Sequence, residues 1–188
     1  MTFEAVVIGT SAGGLHALST LLESLPENYP LPVIIVQHRA NDDRTLLEDV
    51  LSQKCKIRIR QAEEKEKIQN GVVYFAPPDY HLLIEKDRTF SLTSDARVNY
   101  SRPAIDVLFE TAAFAFNHKL LAIILTGANH DGTAGIKRVR KNGGTTIAQD
   151  PEEALYPAMP RAAVETGCVQ HVLPLTGIRD LLMNLGKV

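Results

Sequence analysis

Short runs of apolar, often β-branched residues alternate along this chain with longer stretches in which apolar residues recur at helical spacing. The runs expected to form strands cover residues 5–8, 33–36, 57–60, 120–125, 145–148 and 169–173. Parallel strands are covered on both faces, so apolar residues occupy successive positions in them. Alternation of such strands with helices predicts an α/β fold, a doubly wound, mostly parallel sheet with helices on both faces.

The stretches between these runs predict the helices. In the first of them, leucines from Leu15 to Leu25 recur with the spacing of one helical face. Pro103 is expected at the first position of a later helix, where a proline costs no hydrogen bond, whereas Pro157 and Pro160 are expected to interrupt helical structure. Helices are predicted over residues 15–25, 45–53, 103–117, 133–141 and 177–185, and residues 152–166 are predicted to be helical in parts.

The middle of the chain departs from this alternation. Residues 72–76, 81–85 and 90–93 predict three short strands separated by turn-forming residues at 77–79 and 86–88. Such closely spaced strands are typical of a hairpin or meander, so we expect a short antiparallel β insert within the α/β pattern. Repeats and linkers are absent from the sequence, and residues 1–188 are predicted to form a single domain.

Composition and charge exclude several classes of function. The formal net charge is −2 with an isoelectric point near 6.3, so no strongly basic face for nucleic acid is expected. No apolar run approaches the roughly 20 residues of a membrane span, and the N-terminus lacks the pattern of a secretory signal. Cys55 and Cys168 stand apart without a metal-binding pattern, as in a protein with free thiols. We therefore expect a cytoplasmic protein without membrane insertion.

Three loops that follow predicted strands carry chemically distinctive residues. Ser11 lies in the glycine-rich loop after the first strand, His38 follows the second, and Asp131 follows the strand at residues 120–125. In open α/β sheets, ligands bind beyond the carboxyl ends of the strands. The sequence therefore predicts that a hydroxyl, an imidazole and a carboxylate meet at one edge of the sheet.

The glycine-rich loop at residues 9–14 is compatible with three functions. A phosphate-binding loop requires a lysine after its last glycine, but Leu15 stands at that position. A dinucleotide site requires an acidic residue near the end of the second strand, and this chain has none there. A nucleophile turn requires the pattern G-x-S-x-G between strand and helix, which residues 9–13 match. A serine in such a loop is also a common helix cap, so the motif alone does not decide among these functions.

The histidine and the aspartate favour the nucleophile turn. A serine hydroxyl needs an adjacent base, and of the six histidines His38 is the best placed. His16 is expected to point away from the loop, and His130 to be exposed. Asp131 can orient the imidazole, although it is also a favoured cap for the helix that follows, and Asp150 is the competing acid. The chain order Ser, His, Asp argues against an α/β-hydrolase, which has Ser, Asp, His.

Six separate blocks of the sequence match one known family in the same order: VVIGTSAGG at 6–14, VIIVQHR at 33–39, VVYFAPPDYHLLI at 72–84, SRPAIDVLF at 101–109, ILTGANHDGTAG at 124–135 and AQDPEEALYPAMPRAA at 148–163. Through these blocks the chain resembles, over nearly its whole length, the catalytic domain of the chemotaxis protein-glutamate methylesterase, CheB. The resemblance assigns the nucleophile to Ser11, the general base to His38 and the acid to Asp131.

The resemblance implies hydrolysis of glutamate methyl esters on the cytoplasmic domains of methylated chemoreceptors, and also deamidation of glutamine, with no metal or organic cofactor. Ala12, Ala128 and Met159 become candidates for the oxyanion and substrate-binding site. Ala12 stands where the family often has threonine, and Ala128 where it usually has methionine. Many members of the family carry an N-terminal receiver domain, whereas the pattern here begins at the first strand of the catalytic domain.

Three other functions remain open at this stage. The same triad would serve a related esterase or amidase that acts on another substrate. A non-catalytic module that binds a signalling partner would be expected to lack one member of the triad. A nucleotide-binding domain would be expected to carry the missing lysine or acidic residue.

Overall fold

The computed structural model describes residues 3–38 and 47–186 of the chain. Nine strands lie within these residues: β1 (Ala5–Thr10), β2 (Val33–Gln37), β3 (Arg58–Gln61), β4 (Val72–Phe75), β5 (His81–Ile84), β6 (Phe90–Thr93), β7 (Leu120–Ile124), β8 (Thr145–Gln149) and β9 (His171–Leu173). Six α-helices accompany them: α1 (Gly14–Leu22), α2 (Leu47–Ser52), α3 (Ile105–Phe116), α4 (Thr133–Lys141), α5 (Ala158–Glu165) and α6 (Leu175–Leu185). A 3₁₀ turn at Asn117–Lys119 links α3 to β7.

Seven of these strands form one sheet in the order β3-β4-β2-β1-β7-β8-β9, and each neighbouring pair is parallel. The strand β1 lies at the centre, where Val7 pairs with Ile34 on one side and with Ala122 on the other. The chain first builds the sheet outward from β1 through β2, then returns to the other side of β1 with β7. The carboxyl ends of β1, β2 and β7 therefore surround the point at which the winding direction reverses, where such sheets bind ligands.

Both faces of the sheet are covered, as the apolar runs predict. Alternate residues of β1 belong to different cores, because successive side chains of a strand point to opposite faces. Val7 contributes to the core that also contains Phe109 of α3 and Ile136 of α4. Ile8 contributes to the opposite core, which contains side chains of α1, α2 and α6. The doubly wound α/β prediction is thus confirmed.

The antiparallel insert is smaller than the sequence pattern predicts. The strands β5 and β6 pair antiparallel as a hairpin, with His81 opposite Thr93. Residues 72–76 were also expected in the insert, and this expectation is wrong, because β4 lies inside the parallel sheet between β3 and β2. All four residues of β4 are buried, as expected of a strand with neighbours on both sides and helices or insert above and below.

Several predicted helix boundaries are wrong for identifiable reasons. The helix expected to begin at Pro103 begins at Ile105 after the N-cap Ala104, because the N–H groups of Ile105 and Asp106 bind the distant carboxylate of Asp131. Pro160 does not interrupt α5, since it lies in the first turn, where the N–H it lacks has no helical partner. The last helix begins two residues before Gly177. Residues 45 and 46 of the predicted second helix lie outside the described residues.

The close packing of α4 on α3 leads to a stability prediction at Gly135. A Cβ atom at this position would lie 2.5 Å from Cβ of Phe109, an atom that cannot move without its backbone. We expect Gly135→Ala to lower the free energy of unfolding by about 1–3 kcal/mol, measured by urea denaturation. Gly177→Ala in α6 is the matched control, because its Cβ would come no closer than 3.4 Å to Pro174 and 3.7 Å to Leu173. An equal loss in both variants would contradict the packing argument.

Candidate active site

The loop after β1 places Ser11 between the sheet and the N-terminus of α1. The N–H group of Ser11 donates to the carbonyl of Thr126 at 3.0 Å, which connects this loop to the one after β7. Gly13 has φ 79°, a left-handed conformation that favours glycine, and it caps α1. A Cβ at Gly14 would overlap Oε1 of Gln37, so a side chain at this position would displace the Gln37 amide. The glycines of the motif thus allow the sharp turn that presents Ser11 at the sheet edge.

Gln37 at the end of β2 connects the serine loop to the histidine. Its Nε2 donates to the carbonyl oxygens of Ser11 at 2.8 Å and of His38 at 2.7 Å. The N–H group of His38 in turn donates to the carbonyl of Thr10 at 3.0 Å. These three bonds set the backbone of Ser11 and the backbone of His38 in a defined relation to each other.

The side chain of His38 is joined to Asp131. The distance from Nε2 of His38 to Oδ2 of Asp131 is 2.8 Å. An ionised carboxylate only accepts hydrogen bonds, so Nε2 carries the hydrogen and the neutral ring keeps its lone pair on Nδ1. Asn129 lies 3.2 Å from Nδ1 through its Nδ2 atom, which donates to that lone pair. The contacts on both ring nitrogens therefore agree on one tautomer.

Asp131 is buried and receives hydrogen bonds from several elements. Its Oδ2 accepts the N–H group of Ile105 at 2.6 Å, and its Oδ1 accepts the N–H group of Asp106 at 3.1 Å. Oδ1 also accepts Nδ2 of Asn99 at 3.0 Å. Burial acts to raise the pKa of Asp131, but the hydrogen bonds from His38, Ile105 and Asn99 outweigh burial and hold the pKa below its usual range. Asp131 therefore remains ionised beside His38.

The helix that Asp131 caps is not the one expected from the sequence. The following helix, α4, begins after Gly132, and the N–H group of Gly135 in its first turn donates to Oδ1 of Asp106, not to Asp131. The Asp131 carboxylate lies instead at the N-terminus of α3, where the helix dipole favours a negative charge. The competing acid, Asp150, accepts the N–H group of Glu152 at 2.9 Å within its own turn.

Ser11 and His38 lie on the wall of one cavity of about 980 Å³. The hydroxyl of Ser11 makes no hydrogen bond with another described residue, so the lone pair on Nδ1 is bound by Asn129 instead. Contacts between nucleophile and base are often open before substrate binds. His16 was expected to point away from this loop, yet it is exposed and lines the same cavity.

The three candidate oxyanion and substrate residues have different surroundings. The N–H group of Ala12 makes no hydrogen bond within the described residues, while its carbonyl accepts Oγ1 of Thr126 at 2.9 Å. Ala128 is exposed in the loop after β7. Met159 is fully buried, and its N–H group donates to the carbonyl of Gly127 at 2.9 Å. Ala12 thus has an N–H group beside Ser11 that finds no acceptor among the described residues, whereas Met159 is bonded to the backbone of the loop after β7.

Sequence reasoning missed two asparagines that contact the site. Asn129 lies two residues before Asp131 in the same loop, and this position is the one signal in the sequence that points to it. Asn99 comes from the loop before α3, and nothing in the sequence connects it with Asp131. No arrangement of three or more His, Cys, Asp or Glu side chains able to hold a metal ion is found in residues 3–38 and 47–186. No helix in those ranges is long and apolar enough to cross a membrane.

Comparison with known proteins places this geometry in a family. A relative from Leptospira interrogans is 50% identical over 188 residues, which cover 100% of this chain and 97% of the relative. The protein-glutamate methylesterase/protein-glutamine glutaminase of Thermotoga maritima is 36% identical over 97% of this chain, which spans 54% of that relative. The corresponding Geobacillus kaustophilus protein is 39% identical over 96% of this chain and 53% of its own length.

A solved structure matches the fold as well as the sequence. The crystal structure of the Thermotoga maritima CheB methylesterase catalytic domain superimposes with a TM-score of 0.92, at 35% identity, and the match covers 98% of this chain and 100% of that one. The family model described as CheB methylesterase matches residues 6–182. The chain therefore belongs to the CheB methylesterase family.

Proposed function

We propose that this chain hydrolyses glutamate methyl esters on the cytoplasmic domains of chemoreceptors, and that Ser11, His38 and Asp131 carry out the reaction. The observation that carries the proposal is the 2.8 Å hydrogen bond between Nε2 of His38 and Oδ2 of Asp131, beside a serine on the same cavity wall. The names of the relatives support the same chemistry, since they describe a methylesterase and a glutaminase. A chain that acts on such a substrate would work in the cytoplasm.

Acylation would begin at Nδ1 of His38. Because Nε2 is bound to Asp131, Nδ1 is the nitrogen with a lone pair for the Ser11 proton. The hydroxyl of Ser11 must therefore replace Asn129 at Nδ1 when substrate binds. As the Ser11 oxygen attacks the ester carbonyl, the proton passes to His38, and the resulting imidazolium is stabilised by the ionised Asp131.

Collapse of the tetrahedral intermediate would complete the first half of the reaction. The bond from carbon to the methoxy group breaks, the proton on Nδ1 passes to the departing oxygen, and methanol leaves an acyl-enzyme. A water molecule that gives its proton to His38 then attacks the acyl group, which releases the glutamate carboxylate and restores the Ser11 hydroxyl. A glutamine side chain would follow the same route with ammonia as the leaving group.

The free N–H group of Ala12 is the candidate donor for the negative oxygen of the intermediate. It follows Ser11 directly and lies just before the N-terminus of α1, where the helix dipole favours negative charge. One preorganised donor of this kind typically lowers the barrier by about 3–4 kcal/mol. Because the donor is a backbone group, alanine in place of the family's frequent threonine leaves it available.

Methanol release tests the proposed substrate. A chemoreceptor cytoplasmic domain, enzymatically methylated with a tritiated methyl group, is incubated with the purified chain, and volatile radioactivity is counted. We expect the label to be released as methanol, and ammonia to form from a receptor with glutamine at the same sites. Hydrolysis of small methyl esters without release from the receptor would instead support an esterase or amidase with another substrate.

A further inference from the structure

The side chain of Asn99, outside the proposed triad, connects the buried carboxylates of Asp131 and Asp106. The nitrogen Nδ2 of Asn99 donates to Oδ1 of Asp131 at 3.0 Å and to Oδ2 of Asp106 at 2.9 Å. An amide nitrogen has two hydrogens, so it can satisfy one oxygen of each carboxylate. The remaining oxygen of Asp106, Oδ1, accepts the N–H group of Gly135 in α4 at 2.7 Å. Asn99 is thus the side chain that bridges the two acids.

The two carboxylates repel each other when both are ionised, and a hydrogen-bond donor between them offsets this repulsion. Both are buried, Asp131 with 1% and Asp106 with 7% of its surface exposed. Burial, together with the charges of Asp131 and Glu110, outweighs the lowering effect of the hydrogen bonds from Gly135 and Asn99 and raises the pKa of Asp106 to about 6. The titratable groups that act on this pair are His38 on Asp131 and Glu110 of α3 on Asp106.

The backbone around Asn99 is arranged to bring its amide to this place. Val98 and Ser101 exchange backbone hydrogen bonds of 3.1 and 2.9 Å around the two residues between them. Asn99 and Tyr100 both have positive φ, 49° and 63°, as in a type I′ turn. Asparagine adopts this conformation readily, but tyrosine rarely does, and Tyr100 is 95% exposed. A strained tight turn with an exposed tip thus holds an asparagine against a buried acid.

We propose that Asn99 is a positioning residue for the reaction, which orients Asp131 toward His38 and prevents it from sharing a proton with Asp106. The inference rests on the proposed function of the triad. Without the Asn99 amide, Oδ1 of Asp131 would still accept the N–H groups of Asp106 and Gly132, but no donor would remain between the two carboxylates, and a proton could then be shared between them. A proton held there removes the negative charge that stabilises the imidazolium of His38 in the transition state.

Removing the Asn99 amide should slow the reaction of Ser11. We expect Asn99→Gly, which keeps the left-handed turn accessible, to lower the rate constant for labelling of Ser11 by a fluorophosphonate about 10- to 100-fold. A proton shared by the carboxylates is lost at higher pH than a proton on Asp131 alone. The acid limb of the labelling rate should therefore move to higher pH by about one unit.

A second substitution separates this effect from a loss of structure. Asp106→Asn removes the charge that opposes Asp131, so the Asn99→Gly, Asp106→Asn double variant should recover most of the labelling rate and return the acid limb toward its original pH. Asn117→Gly is the matched control, because Asn117 also has a positive φ of 51° but lies at the other end of α3. It should label at the wild-type rate.

The outcomes distinguish Asn99 from the triad. Asn99→Gly with the wild-type rate and an unshifted acid limb, or a double variant no faster than the single one, would overturn the role of Asn99 while leaving the triad intact. A wild-type protein that is not labelled at Ser11 would overturn the triad itself, and this inference with it. If Asn99→Gly does not fold, Asn99→Asp is the substitute variant, because it keeps the size of the side chain. Its labelling rate at pH 8 should be at least about 10-fold lower than that of the wild type. A wild-type labelling rate in Asn99→Asp would contradict the proposal.

Discussion

Replacing Ser11 with alanine is expected to reduce methanol release from a methylated receptor by a factor on the order of 10⁵–10⁶, which leaves no measurable turnover. The hydroxyl is the atom that would form the acyl-enzyme, and the hydrogen bonds of the His38 ring within the described residues, to Asp131 and Asn129, involve no hydroxyl group that could replace it. The fold should be unaffected, because the backbone of Ser11, not its hydroxyl, makes the bonds to Thr126 and Gln37. Initial rates and the thermal unfolding midpoint, measured on the same preparation, check both expectations.

The control for this substitution is Ser24→Ala. Ser24 follows the other end of α1, where its hydroxyl donates to the carbonyl of Leu21 at 2.7 Å. The chemical change is the same, but it occurs away from the sheet edge, so methanol release should stay close to that of the wild type. Substantial turnover in Ser11→Ala, with ordinary turnover in the control, would show that another group is the nucleophile.

Replacing Asp131 with asparagine is expected to lower turnover by a factor on the order of 10⁴. With its oxygen at the Oδ1 position, which accepts three donors, the amide would place an NH₂ group where Oδ2 now accepts Nε2 of His38 and the N–H group of Ile105. The imidazole would then have to accept at Nε2 and carry its hydrogen on Nδ1, so Nδ1 could no longer take the Ser11 proton. Substrate binding does not depend on this proton transfer, so we expect the loss to appear in kcat and KM to change little.

Asp150→Asn is the matched control, because Asp150 follows β8 at the same edge of the sheet but accepts a hydrogen bond only within its own turn. We expect its kcat to remain near that of the wild type. The asparagine oxygen would still accept the N–H group of Asp106 at the N-terminus of α3 while the bond to Ile105 is lost, so Asp131→Asn should remain folded at 25 °C with a lower unfolding midpoint. A kcat within tenfold of the wild type in folded Asp131→Asn would remove Asp131 from its proposed role.

The strands were the most predictable part of the fold. Runs such as residues 33–36 and 120–125 are apolar at successive positions, which distinguishes strands covered on both faces. An apolar run does not reveal which other strands it pairs with in the sheet. Residues 72–75 are close in sequence to the hairpin, and only the pairing of β4 with β3 and β2 reveals that they belong to the parallel sheet.

The candidate site was predictable where it follows the strand ends, and unpredictable where it depends on long-range contacts. Ser11, His38 and Asp131 each follow a strand, so the general rule for open sheets brings them together. The start of α3 at Ile105 depends on a carboxylate 26 residues away. The same holds for Asn99, whose amide reaches the acids from a turn that no local pattern connects to them. The contact of Asn129 with Nδ1 likewise required coordinates.

Asp131 serves two purposes at once, because the carboxylate that orients His38 also anchors the first turn of α3. A variant designed to bind its target without hydrolysing it should therefore retain Asp131. The better choice is the serine, whose hydroxyl makes no hydrogen bond within the described residues. A Ser11→Ala variant immobilised on a resin should retain an unchanged binding surface. It is therefore suited to affinity capture of the native target.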